Sequence, residues 1–350
     1  MAKNKAVVVG AMGVIGRKLI QHLEQLEDWD IVGLSRRGPD FDTRAQFISV
    51  DLLDRADAEA KLSGISDATH IFYAAYQARA VWAEHNAPNL AMLVNSVEPI
   101  AAASKGLRHV HLVQGNKIYG SHLGPFKTPA LEDDPPHMLP NFYYDQQQWL
   151  SRERQGKDWT YSVLRPHSVC GFALGNPMNL STVIAVYATI SKELGLPLRF
   201  PGKPGAYNAV YQCVDSEILA KAMTWCGTAE GAADEVFNIT NGDFFRWRNY
   251  WPKFAEYFDM PLGDVQTISL VEFMADKGPL WDEIKAKYGL ADISYADIAA
   301  WPFADYVFGT DWDVMTDTLK IRMAGFHEYQ RSDEMFFRLF DQFRALKAIP

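Results

Sequence analysis

Three glycines and a pair of arginines are the residues of this chain that most directly imply a ligand. Gly10, Gly13 and Gly16 fall in VVVGAMGVIGRKLI, between an apolar β-rich run and a stretch of helical spacing. Glycines at such a junction permit a tight turn, let the backbone approach a pyrophosphate and allow the helix to pack on the strand. The helix N-terminus then offers unpaired N–H groups and a favourable dipole to the anion. The spacing is Gly-x-x-Gly-x-x-Gly, a weak signal alone that gains weight from its strand–turn–helix context. Arg36 lies 20 residues beyond Gly16, in IVGLSRRG, about where an NAD-binding chain carries an acid for the ribose. Ser35, Arg36 and Arg37 stand there instead, and a guanidinium pairs with a 2′-phosphate through forked, charge-assisted bonds. The expected cofactor is therefore NADPH/NADP+. Asp51, closing FISVD, has two readings, as an acceptor for an adenine amine or as the cap of the next helix. Val14, Ile15, Leu52, Ala74, Ala75, Gln114, Tyr143, Pro166, Ser168 and Val169 complete the candidate cofactor set.

The catalytic candidates lie in two segments. VQGNKIYG carries Gly115 and Lys117, and PNFYYDQQQWL sets Asn141, Phe142, Tyr143 and Tyr144 at a helix start. Hydride addition to the β-carbon of an enone generates an enolate, whose oxyanion needs a hydrogen-bond donor as charge develops. A phenol, with an ordinary pKa of about 10, donates without first losing its proton. Tyr143 and Tyr144 are both candidates for that phenol. Lys117 could hold cofactor ribose or phosphate and keep Tyr143 in place, and solvent could supply the α-carbon proton. Phe126, Tyr144, Phe172, Met178 and Phe200 are candidate pocket walls. His109 and His111 share a strand face but have no nearby carboxylate or third histidine, so no metal is expected. Glu132-Asp133-Asp134, before Pro135-Pro136, reads as a solvated loop.

The elements that must position these residues follow from the alternation of the first 170 residues. β-rich runs occur at Ala6–Val9, Ile31–Leu34, Gln46–Val50, His70–Tyr73, His109–Val113 and Tyr161–Leu164. Between them, Val14–Leu26, Asp54–Lys61, Ala87–Ala103 and Phe142–Gln155 have helical spacing. This rhythm predicts an α/β fold, a Rossmann doubly wound parallel sheet with right-handed crossovers. After Arg165-Pro166 the rhythm breaks into proline- and glycine-punctuated sequence and aromatic helical segments, Phe244–Phe258 and Asp333–Leu346 among them. The expected division is a cofactor domain over 1–170, with 205–240 returning to it, and a smaller, mostly helical substrate region over 171–350. Aromatic, apolar pockets at such junctions suit small carbon-rich ligands.

Composition excludes several classes. A chain of 350 residues can form about two domains, each with a full core. Its 34 basic and 43 acidic residues leave a formal net charge of −9, which argues against a general nucleic-acid binder. Cys170, Cys213 and Cys226 form neither an even disulfide set nor a Cys-x-x-Cys pair, which fits a reducing cytoplasm. The N-terminal apolar run is too short for a signal-peptide core, and no apolar stretch suits a membrane span.

The glycine triad in a chain of this length resembles the extended short-chain dehydrogenase/reductases, which normally carry Tyr-x-x-x-Lys. None of the 15 tyrosines here meets a lysine four residues on; Tyr143 meets Gln147 and Tyr144 meets Gln148. Lys117, the GPF at Gly124–Phe126 and Asn141-Phe142-Tyr143-Tyr144 together resemble the progesterone 5β-reductase and iridoid synthase-like enone reductases. The likeness continues through Arg165-Pro166, Gly171-Phe172, Met178-Asn179-Leu180, Asn241-Gly242-Asp243 and Trp247. It departs at Gln114, where the family has threonine, at Gln147 and Gln148, which replace acids, and at GFAL, which replaces Gly-Phe-Ser-Pro. The resemblance implies Lys117 and Tyr143 as the working pair, NADPH as cofactor, and a small apolar enone as substrate for a monomer or homodimer. Two other functions share the architecture: a nucleotide-sugar epimerase or dehydratase, and a non-catalytic NADP(H)-sensing protein.

Overall fold

A computed structural model describes residues 3–350. Its centre is a seven-stranded parallel sheet in the order β3-β2-β1-β4-β5-β6-β9. The strands are β1 (Asn4–Val9), β2 (Trp29–Ser35), β3 (Gln46–Ser49), β4 (His70–Tyr73), β5 (His109–Val113), β6 (Thr160–Pro166) and, after the short pair β7 (Val169–Cys170) and β8 (Val214–Asp215), β9 (Glu235–Ile239). Helices α1 (Val14–Gln25), α2 (Arg55–Leu62), α3 (Asn86–Ala103) and α4 (Phe142–Glu153) make the crossovers. The doubly wound parallel sheet read from the sequence is the fold observed. Both faces are covered, so β1 is a continuous apolar run whose side chains part by pleat. Ala6 and Val8 join a core with Leu19, Ile20 and Leu23 of α1. Val7 and Val9 join the opposite core, with Leu62 of α2, Val97 of α3 and Leu150 of α4.

Helix starts show why the local sequence folds as it does. Asp54 caps α2, accepting from the N–H groups of Ala56 and Asp57 at 2.9 and 3.1 Å. Asp51 therefore does not cap it; one of its carboxylate oxygens instead accepts from Leu53 N within a turn, at 3.0 Å. The reason is distance along the chain, since only a residue directly before the first helical turn can reach its free N–H groups.

The later residues add α5 (Leu180–Glu193), α6 (Pro204–Asn208), α7 (Ser216–Thr228) and α8 (Trp247–Tyr257). α7 lies beside α1 and shares its core through Leu219 and Met223, and β9 pairs with β6 along Ser162–Pro166. The remaining helices enclose a separate aromatic core in which Trp247, Trp251, Phe254, Phe308, Phe336 and Phe340 are buried. Phe200 belongs to this core and is fully buried, with its ring 5.1 Å from that of Trp251 and 5.3 Å from that of Phe308. It is not a pocket wall, because the rings of Tyr207, Trp247, Trp251 and Phe308 pack around it and leave no surface for a ligand. Among the described residues no helix is long and apolar enough to cross a membrane.

Candidate active site

The strand order reverses between β1 and β4, and the candidate cofactor residues gather at the C-terminal ends of the strands around that point. Gly10 follows β1 with φ +85°, and a Cβ there would meet the backbone of Ala74 and Ala75 at 2.9 Å. A Cβ at Gly16 would overlap the Gly10 carbonyl, so α1 starts hard against the strand end. No side chain caps α1 after Gly13, which leaves its first N–H groups available to an anion. Ser35 ends β2, Asp51 and buried Leu52 follow β3, and Ala74 and Ala75 follow β4. These features fit a dinucleotide: a strand-to-helix turn so tight that no Cβ is accommodated at Gly10 or Gly16, and an uncapped helix start beside it.

Arg36 and Arg37 are exposed beyond Ser35. The Arg37 guanidinium donates to the Leu174 carbonyl and lies against Gly175, where a Cβ would come within 3.0 Å of it. The sequence reading missed Arg17, the residue after the third glycine. It is buried, paired with Asp40 at 2.8 Å, and its guanidinium lies 4.5 Å from the ring centre of Phe41 and 5.8 Å from that of Phe172. Phe172 thus flanks the arginine cluster, while Met178 lies exposed in the loop that leads to α5.

The start of α4 is bound to the turn after β5 by side chains from both segments. Asn141 caps α4 by accepting from Tyr143 N at 3.1 Å, and its amide donates to the Lys117 carbonyl at 3.1 Å. Gln114 donates to the Tyr143 carbonyl at 2.7 Å, and Tyr144 donates its hydroxyl to the Ile118 carbonyl. The Tyr144 oxygen also accepts from His137 N at 3.0 Å. Tyr144 is committed to holding the segment. The Tyr143 hydroxyl makes no hydrogen bond among the described residues and lies over Gly115, where a Cβ would sit 3.0 Å from Oη. Burial, reinforced by Tyr76, pushes its pKa above the ordinary tyrosine value.

Lys117 is positioned differently from the expectation that its side chain steadies Tyr143. Its ammonium lies 5.5 Å from the Trp82 ring centre and 5.1 Å from that of Tyr306, and burial lowers its pKa. Only the Lys117 backbone, through Asn141, is tied to the tyrosine helix. Phe126 packs between this region and the aromatic core. Tyr76 and Trp82 were missed because a single aromatic in a loop or short turn carries no periodic signal, and Tyr306 because its helix, Trp301–Gly309, reads as one more aromatic core segment.

Two further expectations are corrected. The Gln114 side chain is taken up within the protein and not left open to a cofactor, because Arg165 donates to its Oε1 at 3.2 Å while its amide holds Tyr143. Arg165 is buried and also donates to Tyr119 Oη at 2.9 Å, the Glu132 carbonyl at 3.0 Å and Gln147 Oε1 at 3.1 Å. Gln147 is therefore a neutral acceptor for a buried guanidinium, and Gln148 is exposed. Glu132 is not solvated loop: its carboxylate accepts from Asn238 N at 2.7 Å, and burial raises its pKa. Pro166 ends β6, and Ser168, with φ +38°, shares a 2.6 Å hydrogen bond with Tyr211 Oη, which leaves Val169 to start β7.

Comparison with known proteins adds sequence and fold likeness to this geometry. The chain is 35% identical to a (S)-8-oxocitronellyl enol synthase of Nepeta cataria, over 99% of this chain and 94% of that protein. It is 31% identical to a 3-oxo-Delta(4,5)-steroid 5-beta-reductase of Arabidopsis thaliana, again over 99% and 94%. A solved UDP-glucose 4-epimerase of Thermotoga maritima is similar in fold, with a TM-score of 0.69, 17% identity and coverage of 97% of this chain and 99% of that one. Residues 42–350 match the PRISE-like Rossmann-fold domain, and with the strand-end cradle and the Asn-Phe-Tyr-Tyr helix start in place, the chain belongs to that family.

Proposed function

We infer that the protein is an oxidoreductase that reduces the activated C=C bond of an enone, and we propose NADPH as its cofactor and Tyr143 as the donor to the enolate oxygen. Gly10, Gly13, the N–H groups of Val14, Ile15 and Gly16, and Arg36 with Arg37 would hold the dinucleotide and its 2′-phosphate. When bound, the dinucleotide supplies hydride to the substrate β-carbon.

The observation that carries the reading is the state of Tyr143. Its hydroxyl lies over Gly115, just beyond the C-terminal end of β5, without a protein partner among the described residues, and burial of the ring raises its pKa. A phenol that keeps its proton is suited to donating a hydrogen bond to an enolate and is a poor acid for delivering a proton to a carbonyl oxygen. No lysine stands four residues after it, and the Lys117 ammonium faces Trp82 and Tyr306 rather than the phenol. Both features favour 1,4- over 1,2-reduction. The relatives named as an enol synthase and a steroid 5-beta-reductase support the same chemistry.

Loss of NADPH absorbance against a panel of enones tests this directly. Tyr143→Phe is expected to lower kcat about 10²–10³-fold, the usual cost of removing one oxyanion donor. Full turnover in that variant would remove the role from Tyr143. Cofactor binding with no turnover of any enone by the unaltered protein would favour a sensing function instead.

A further inference from the structure

Polar groups without a protein partner are concentrated in one stretch of this chain. Asn116 Nδ2 and both ring nitrogens of His122 are buried with no hydrogen bond among the described residues, and the buried Ser121 Oγ has the Tyr306 phenol beside it. Asn116 and Ser121 are 6% and 1% exposed. Lys117, between them in sequence, is half-buried, and no acidic neighbour offsets the burial that lowers its pKa. Three of these side chains converge around two aromatic rings. The Lys117 ammonium sits near Trp82 and Tyr306, and the His122 ring lies 4.3 Å from the Trp82 ring. The Ser121 hydroxyl faces the Tyr306 phenol, and Asn116 belongs to the same turn.

Each of these groups can donate a hydrogen bond: an amide, an ammonium, a hydroxyl and a neutral imidazole. Burial and the Lys117 charge push the His122 pKa down to about 4, so the imidazole is neutral at pH 7 and carries one N–H. A half-buried cation with no acidic neighbour, in a stretch that also carries these donors, is complementary to an acceptor-only anion. The neighbours Val81, Leu123 and Leu139 are exposed apolar residues, suited to the carbon chain of such a ligand.

We propose that Lys117, Ser121 and His122, with Asn116 in the same turn, form a recognition subsite for a carboxylate carried by the substrate. The inference rests on the enone-reductase reading and narrows it to enones that bear an acid group. Lys117 is then a substrate-recognition residue.

The test uses three matched linear enones of equal length, ending in a carboxylate, its methyl ester or a methyl group. With NADPH and the full-length protein, kcat/KM is expected to favour the acid over the methyl compound by about tenfold or more, as for a hydrogen bond to a charged group. Ser121→Ala and His122→Leu should both bring that ratio towards one. Equal kcat/KM for acid, ester and methyl compound would overturn the subsite and leave the reductase reading intact. Calorimetry of the NADP+-loaded protein with a saturated, unreactive analogue of the acid gives a second readout. Binding of the acid but not its ester, lost in Lys117→Met, would support the subsite even if no enone is reduced, a result that would overturn the reductase reading alone. Equal binding of acid and ester would overturn the subsite.

Discussion

Two adjacent tyrosines, of the same type and in the same helical turn, are set apart by their hydrogen bonds. Tyr144 has both a donor and an acceptor role within the protein, and Tyr143 has neither at its hydroxyl. The Asn-Phe-Tyr-Tyr sequence left that choice open, because one helical step separates side chains that face different surroundings. Arginines divide in a similar way. Arg17 is paired with Asp40 and packed between rings, whereas Arg37 is held only by a backbone carbonyl at the groove edge. Exchanging that carbonyl for a 2′-phosphate swaps a neutral acceptor for a charged one. Arg37→Ala is accordingly expected to raise the KM for NADPH about tenfold while changing that for NADH little. Steady-state kinetics with both cofactors would check this, and equal effects would place Arg37 outside the phosphate site.

At the scale of elements, the junction between the turn after β5 and the start of α4 governs the site. Asn141 serves both sides of it, capping α4 and holding the Lys117 carbonyl. Asn141→Ala removes both bonds at once. Loss of the cap alone costs about 1 kcal/mol, and the freed Lys117 carbonyl adds to it. The variant is expected to lower Tm and also to lower kcat, because Tyr143 and Lys117 lose their common anchor. A fall in Tm with unchanged kcat would show that the junction supports the fold but not the chemistry. The motif containing Asn141 was visible in the sequence, and its capping role follows from residue type. Its second bond was not visible, since the Lys117 carbonyl is 24 residues away.

For the whole molecule, a row of histidines ties stability to pH. His70 of β4 and His109 and His111 of β5 are buried on one face of the sheet, where Ser162 Oγ bonds both His109 and His111 at 2.7 Å. Burial lowers the pKa of His70 to about 4 and that of His109 to about 3, and holds His111 well below the ordinary value. An unfolded histidine titrates near about 6.5, so between the two values the unfolded chain binds more protons. The stabilisation is complete above about pH 6.5 and is lost as pH falls towards the folded values. Each histidine contributes up to about 1.4 kcal/mol per pH unit within that window. Urea midpoints, followed from pH 7.5 to 5 and so above the ordinary carboxylate range, are expected to hold down to about pH 6.5 and to fall below it, and a profile flat to pH 5 would contradict burial of the neutral rings.

The sequence by itself determined the α/β class, the six strands of the first half and the glycine turn. Each depends on local periodicity or on a backbone requirement that one residue type satisfies. It also exposed the missing lysine after Tyr143, an absence that can be read directly from spacing. Tertiary structure decided the rest. It placed Phe200 in the core, turned Gln114 and Gln147 onto buried Arg165, and carried the Lys117 ammonium to Trp82 and Tyr306. Those outcomes depend on which side chains meet across long separations. No local period encodes such meetings, because they follow from the packing of the whole chain.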